Sequence, residues 1–296
     1  MNREKKDNHS GKNSLFQEIF ACPQCHSNMI SIDNSLICEK CKDQFLINDK
    51  IPSFLPRRIT DHKILLAING WANISWDYDE KITKTNKHLM RSIDSPLIHY
   101  CKKNNLVLEI GCGTARLSDA IAAKKCTYIG IDPSLFLLNQ GIIKNRTSLL
   151  QGIGEFLPFK DGCFDVIIGG YHSFRYIQFR KCLEECARTT KPGGHLVFTL
   201  WNGWSLLASS FKFKNLIFNS YLKSILTKNL GTCNDVFSPY HIIKTIESSG
   251  FKVQKILSTK KDFPFLKAKP SRSIRYWHGV IGAFFGHNII FICQKK

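Results

Sequence analysis

A glycine turn between an apolar run and a helical pattern constrains this chain more than any other feature. Leu106 to Ile110 is a short run with one charge, Glu109, and fits a buried strand of a parallel sheet. It ends in Gly111-Cys112-Gly113-Thr114-Ala115. Arg116 to Lys124 then carries Leu117, Ala120, Ile121 and Ala122 at helical spacing. A strand, a glycine-rich turn and a helix, in that order, give the context of a nucleotide-binding turn. Gly111 permits a sharp turn, Gly113 lets backbone approach a ligand closely, and Ala115 stands where a third glycine is common. A second strand, Thr127 to Ile131, closes on Asp132, 19 residues after Gly113. An acid at that strand end can accept hydrogen bonds from ribose hydroxyls. Taken alone, the pattern also fits a dinucleotide-dependent dehydrogenase or a purely structural turn.

Further blocks narrow the choice. They are Glu155-Phe156-Leu157-Pro158-Phe159, then Asp161-Gly162-Cys163-Phe164-Asp165-Val166-Ile167, then Glu184 to Leu196 with its Lys191-Pro192-Gly193-Gly194 turn. With Val107–Thr114 and Gly130–Ser134 they make five ordered blocks between Leu106 and Leu200. This stretch resembles the class I S-adenosylmethionine (SAM)-dependent methyltransferases, particularly the group that includes the ubiquinone and menaquinone biosynthesis enzymes. The resemblance implies an α/β, Rossmann-like fold with a seven-stranded, mostly parallel sheet and an antiparallel last strand.

The resemblance also implies roles for particular residues. Glu109 and the backbone of Gly111, Cys112 and Gly113 would hold the methionine part of SAM. Asp132 and Pro133 would hold the ribose side. Residues 153–155, with Gly154 and Glu155, would line the adenine, and Gly170 and Tyr171 would border the sulfonium. Ile153 departs from the family, which often carries Asp or Asn there, so an adenine amino contact is lost or passed to Glu155. Methyl transfer is an in-line displacement in which the protein mainly positions the acceptor and excludes water. No catalytic residue is assigned. His172 and Tyr78 are candidates for a general base, needed only if the acceptor must lose a proton. Each also has a plainer role, a strand-end hydrogen bond for His172 and a pocket cap for Tyr78.

Upstream, Cys22-Pro23-Gln24-Cys25 and Cys38-Glu39-Lys40-Cys41 are separated by 12 residues. Two such pairs can set four thiolates around one ion, for which zinc is the best match. Four cysteines leave no open position, so the metal would be structural rather than catalytic. Iron in a rubredoxin-like site and unmetallated buried thiols are the alternatives. A hairpin turning at Asp33-Asn34 is expected between the pairs. The stretch Ile19 to Leu55 resembles the small zinc-ribbon proteins that activate tRNA, rRNA and protein methyltransferases, which implies a structural or partner-contacting module.

The organisation expected is a disordered tail at 1–15, the ribbon at 16–56 and a methyltransferase domain at 57–296. Helices are expected between Ile64 and Ile93, with Trp71 and Trp76 among them. A lid insert is expected at 201–236, basic and amphipathic, with membrane-surface contact possible through 205–228. The polar start and the many cysteines suggest a reducing cytoplasm. The run from Tyr276 to Cys293 is too interrupted for a spanning helix and reads as a connection followed by a strand from Asn288. The formal charge is +19, and residues 201–296 hold 15 Lys and Arg against 3 Asp and Glu. A basic surface suits RNA, anionic lipid or an anionic small molecule. Three functions are therefore open: a methyltransferase for a small-molecule or lipid-like acceptor, an RNA methyltransferase, and a non-catalytic SAM-domain adaptor.

Overall fold

In the computed structural model the apolar runs become strands, and their order sets the position of everything else. The structure describes residues 18–56, 59, 64–65, 68, 79–80, 87–171, 173–175, 177–201, 239–259, 276–278 and 288–296. Strands β5 (Leu106–Ile110), β6 (Thr127–Asp132) and β7 (Leu149–Gln151) lie parallel. On the other side of β5 follow β8 (Phe164–Gly169) and β9 (Thr190–Trp201), also parallel. Strand β12 (Asn288–Lys295) runs antiparallel between β9 and β10 (Phe251–Thr259). These are the seven strands expected, with the antiparallel last strand. A short strand, β11 (Tyr276–His278), adds an eighth at the β10 edge, inside the stretch that reads as a connection.

The strands hold because both faces are covered. Residues of β5, β8 and β12 are almost wholly buried, as the near-continuous apolar runs require. One face stacks Phe174, Phe198 and Phe291, with ring centroids 4.7 and 5.2 Å apart in succession. The covering helices include α1 (Lys87–His99), α2 (Ser118–Ala123), α3 (Leu135–Ile143), α4 (Phe179–Thr189) and α5 (Pro239–Ser248). Helix α4 buries Phe179, Cys182, Leu183, Cys186 and Ala187, the stripe that one face of a helix presents.

Two boundaries differ from the sequence reading, each for a backbone reason. Helix α2 starts at Ser118 rather than Arg116, because Ala115 sits in the left-handed region at φ 56° and interrupts the helical run. Strand β9 starts at Thr190, before the Lys-Pro-Gly-Gly turn. Phe164 pairs with Thr190 and Val166 with His195, so Lys191 to Gly194 bulge out of a continuing strand.

The cysteine module is a four-stranded antiparallel sheet of β1 (Met29–Ile32), β2 (Ser35–Cys38), β3 (Gln44–Asn48) and β4 (Ile51–Pro52). The expected turn at Asp33-Asn34 joins β1 to β2. The module is seated against the main sheet. Its entry segment exchanges backbone bonds with residues 158–160, Ala21 N–H to Pro158 O and Lys160 N–H to Ile19 O. Phe20 packs on Phe54 and Phe159, with centroids 5.3 and 5.9 Å away. Its exit segment runs beside β7, where Ser53 forms a parallel bridge to Gln151. A three-residue edge strand is thus covered rather than left open. The buried cluster joins Phe20, Leu36, Phe45 and Phe54 of the module to Ile131, Leu150 and Phe159 of the domain.

Because one core spans both parts, they are expected to unfold together. Phe54, fully buried, is the test. Phe54→Ala should cost about 3–5 kcal/mol, read as a lower urea midpoint with one transition preserved. Two separate transitions in the wild-type chain would refute a shared core.

Candidate functional site

The carboxyl ends of β5, β6 and β8 open onto a cleft of about 1090 Å³, counted with the solvent space at its mouth. Strand order reverses between β5 and β8, and such a switch point leaves a crevice outside the strand ends. All ten residues singled out for a cofactor, from Glu109 to Tyr171, line this one cleft. Gly111 takes φ +68°, and a side-chain carbon there would overlap Ser173 Cβ, so the turn and the segment after β8 approach as only glycine allows. Gly113 is also left-handed, at φ +56°, but a carbon there would meet only Leu137 Cδ1 at 3.7 Å.

The turn's N–H groups are already in use. Gly111 and Cys112 donate to Ile131 O at 2.8 and 3.2 Å, and Gly113 donates to Asp132 Oδ2 at 2.8 Å. In a dinucleotide site those groups point at a pyrophosphate. Here they are consumed within the protein, and a buried carboxyl group, Glu109, stands at the strand end. The arrangement suits a cationic or neutral ligand better than a pyrophosphate.

Two carboxyl groups dominate the electrostatics. Glu109 accepts the Tyr128 hydroxyl at 2.6 Å. Burial pushes Glu109 up to about 8, although the Tyr128 bond and the Arg116 charge pull it down. Asp132 accepts the Ser134 N–H at 2.9 Å through Oδ1 and the Gly113 N–H through Oδ2. Burial raises it to about 6, with those two N–H groups opposing. Glu155 is also buried, and one oxygen takes the Gln178 N–H at 2.6 Å, at the start of α4.

Several cleft residues carry no local sequence signal. Asp79 accepts Thr114 Oγ1 at 2.6 Å, Lys144 Nζ at 2.7 Å and Arg146 Nη1 at 3.0 Å. Burial alone would raise its pKa, but the Lys144, Thr114 and Arg146 bonds together hold it below the usual carboxylate range. Arg146 Nη1 also donates to Thr114 O at 2.6 Å, which braces the turn from outside. Arg116 pairs with both oxygens of Asp94 at 2.8 Å and lies over the Tyr171 ring. Tyr171 Oη donates to the same Asp94 at 3.1 Å. These partners lie 22 to 77 residues apart in sequence, and only a charged or polar residue near a glycine turn would have hinted at them. The base candidates Tyr78 and His172, the lid at 201–236 apart from the Trp201 backbone, Trp71, Trp76 and the tail at 1–15 lie outside the described residues.

The four cysteines converge. Their sulfurs all lie within 4.8 Å of one another, with Cys22 to Cys41 at 3.5 Å and Cys25 to Cys38 at 3.4 Å. A tetrahedral zinc–thiolate centre has sulfurs about 3.8 Å apart, given bonds near 2.3 Å. A disulfide is far shorter, about 2.05 Å. Hydrogen bonds from the Ser27 hydroxyl and N–H hold the Cys25 thiol below its ordinary value, whereas burial pushes the Cys22 thiol up. The donor set therefore fits a closed structural metal site.

Residues 108–198 match the protein family described as "Methyltransferase domain". The chain is 28% identical over 171 residues to an uncharacterized protein of Methanocaldococcus jannaschii, covering 54% of this chain and 64% of that one. It is 33% identical over 91 residues to the demethylmenaquinone methyltransferase of Mycolicibacterium gilvum, covering 31% of this chain and 40% of that enzyme. The chain thus spans less than two thirds of the length of either relative. Among solved structures, the fold is similar to a chain of the Haloferax volcanii complex between the Trm112 methyltransferase activator and a methyltransferase. The TM-score is 0.54 at 17% identity, over 80% of this chain and 99% of that one.

Two outcomes follow from the geometry. Gly113→Ala should cost about 1–2 kcal/mol, the backbone conformation alone, and Gly111→Ala more, because its carbon also displaces Ser173. Equal melting-temperature losses would contradict this. The second concerns Glu109, whose folded pKa lies above its ordinary 4.5. The folded chain binds that proton more tightly, so the contribution is full below pH 4.5 and fades as pH rises through about 8. Glu109→Gln should flatten the fall in urea stability across that range, and an unchanged slope would exclude the assignment.

Proposed function

We propose that this chain is a SAM-dependent methyltransferase acting on a small-molecule or lipid-like acceptor, with a structural zinc in the four-cysteine module. One observation carries the reading. Glu109, the glycine turn and Asp132 meet in a single cleft within the segment that matches a methyltransferase domain. SAM, when bound, supplies an activated methyl group on a sulfonium, so the chemistry left to the protein is placement.

The residues divide that work. Glu109 would pair with the ammonium of the methionine part, and the turn from Gly111 to Gly113 would lie against it. Asp132 keeps lone pairs beyond its two backbone partners, suited to ribose hydroxyls. Ile153, Gly154 and Glu155 would border the adenine, Pro133 would stand beside Asp132 on the ribose side, and Gly170 and Tyr171 would border the sulfonium end. Ile153 offers no polar group there, so an adenine amino contact would fall to Glu155, which lines the cleft and takes the Gln178 N–H with one oxygen. Ile64, Leu117 and Ile177 add apolar wall to the cleft, as a small apolar acceptor would need. The demethylmenaquinone methyltransferase likeness favours the same acceptor class. We read the ribbon as a built-in counterpart of the small methyltransferase activators that Ile19 to Leu55 resembles in sequence.

Tritiated methyl transfer from SAM into fractionated lysate tests the acceptor. Label is expected in the organic-extractable small-molecule pool, and label confined to RNA would replace this reading with the RNA one. A calorimetric pH series tests the site. If an ammonium pairs with Glu109, binding of S-adenosylhomocysteine releases a proton. Affinity should then tighten by up to about tenfold per pH unit below the pKa near 8, and Glu109→Gln should abolish the trend. A flat profile in the wild type would remove Glu109 from the ligand site.

A further inference from the structure

One polar side chain joins the cysteine module to the cofactor cleft, and it belongs to neither. Gln151 ends β7 and is buried. On one side it meets the module's exit segment: Phe54 N–H donates to its backbone O at 2.7 Å, and Ser53 Oγ donates to its Oε1 at 2.8 Å. On the other side its Nε2 donates to Pro133 O at 3.1 Å. The next residue repeats the grip, since Gly152 N–H donates to Asp132 O at 3.1 Å. Asp132 and Pro133 both line the cleft, and Ser134, which follows, caps α3 through Leu137 N–H.

The amide is used at both ends. Its oxygen accepts from the module and its nitrogen donates to the turn that carries Asp132. The exit segment is itself anchored, because Ser53 N–H donates to Leu46 O of β3 at 2.8 Å. A continuous line of hydrogen bonds therefore runs from the four-cysteine sheet to the turn where a ribose would sit. Buried amides of this kind are costly to leave half satisfied, so the two ends are coupled.

We infer that Gln151 is a positioning residue for the cofactor, through which the seating of the cysteine module sets the Asp132–Pro133 turn. The inference rests on the SAM reading above. The test is the dissociation constant for S-adenosylhomocysteine, measured by calorimetry on the full chain, with the melting temperature of the ligand-free protein alongside. Gln151→Ala is expected to weaken binding about five- to tenfold, the range of one lost buried hydrogen bond. Gln151→Glu keeps an acceptor for Ser53 but has no donor for Pro133 O, and should weaken binding as much. Ser53→Ala removes only a hydroxyl from the module, and should weaken binding about two- to threefold in the wild type and not at all in the Gln151→Ala background.

A purely structural Gln151 would lower the melting temperature and leave the dissociation constant unchanged, which would overturn the inference. Additive effects of Ser53→Ala and Gln151→Ala would overturn it as well. If Gln151→Ala does not fold, Ser53→Ala and Gln151→Glu decide on the same criteria. A wild-type chain that binds no S-adenosylhomocysteine would sink the SAM reading and this inference together. Normal wild-type binding with unaffected variants would sink the inference alone.

Discussion

The reversal of strand order beside β5 is the constraint on which the rest depends. From β5 the chain moves outward through β6 and β7, then returns to the other side at β8 and β9. Neighbouring loops must part there, and the parting is the cleft. Every cleft feature follows from what each strand end contributes. Strand β5 delivers Glu109 and the glycine turn, β6 delivers Asp132, and β8 delivers Gly170 and Tyr171. Parallel pairing fixes their relation, since Val107 faces Tyr128 across β5 and β6 and so puts Glu109 and the Tyr128 hydroxyl on one face. A buried carboxyl group then stands where an ordinary phosphate-binding turn would have free N–H donors.

The second dependence is the cover on β7. That strand has only three residues and would end the sheet with open backbone groups. The exit segment of the cysteine module runs beside it, while Phe20, Phe54 and Phe159 fill the space beneath. Some 35 to 40 residues seldom build a sufficient core alone. Here the module borrows one from the domain, and Cys22 and Cys38 of its cysteine cluster are themselves buried in that shared core.

Much of this was legible in the sequence, and the limits have physical causes. Strands β5, β6, β8 and β12 are buried on both faces, so their continuous apolar runs announce them. The four cysteines announce their cluster because ligand chemistry leaves few other uses for that spacing. What the sequence concealed depends on long-range pairing. Asp79 meets Thr114, Lys144 and Arg146 across 35, 65 and 67 residues, and Ser53 meets Gln151 across 98. No local periodicity encodes such contacts. The late start of α2 was hidden for the opposite reason: Ala115 has strong helical preference, and the turn's geometry overrides it. Strand β9 absorbed a Pro-Gly-Gly segment as a bulge, where turn chemistry normally marks a boundary.

The seating of the module on β7 also bears on why the two are one polypeptide. The contact between them consists of backbone pairing at both the entry and exit segments and a shared aromatic core. The peptide link from Pro56 onward adds a high local concentration, which makes docking an intramolecular event. An interface between two separate chains would depend on how much of each was made. Fusion removes that dependence. It fixes one module per domain, and it ties the synthesis and the turnover of the pair to a single chain.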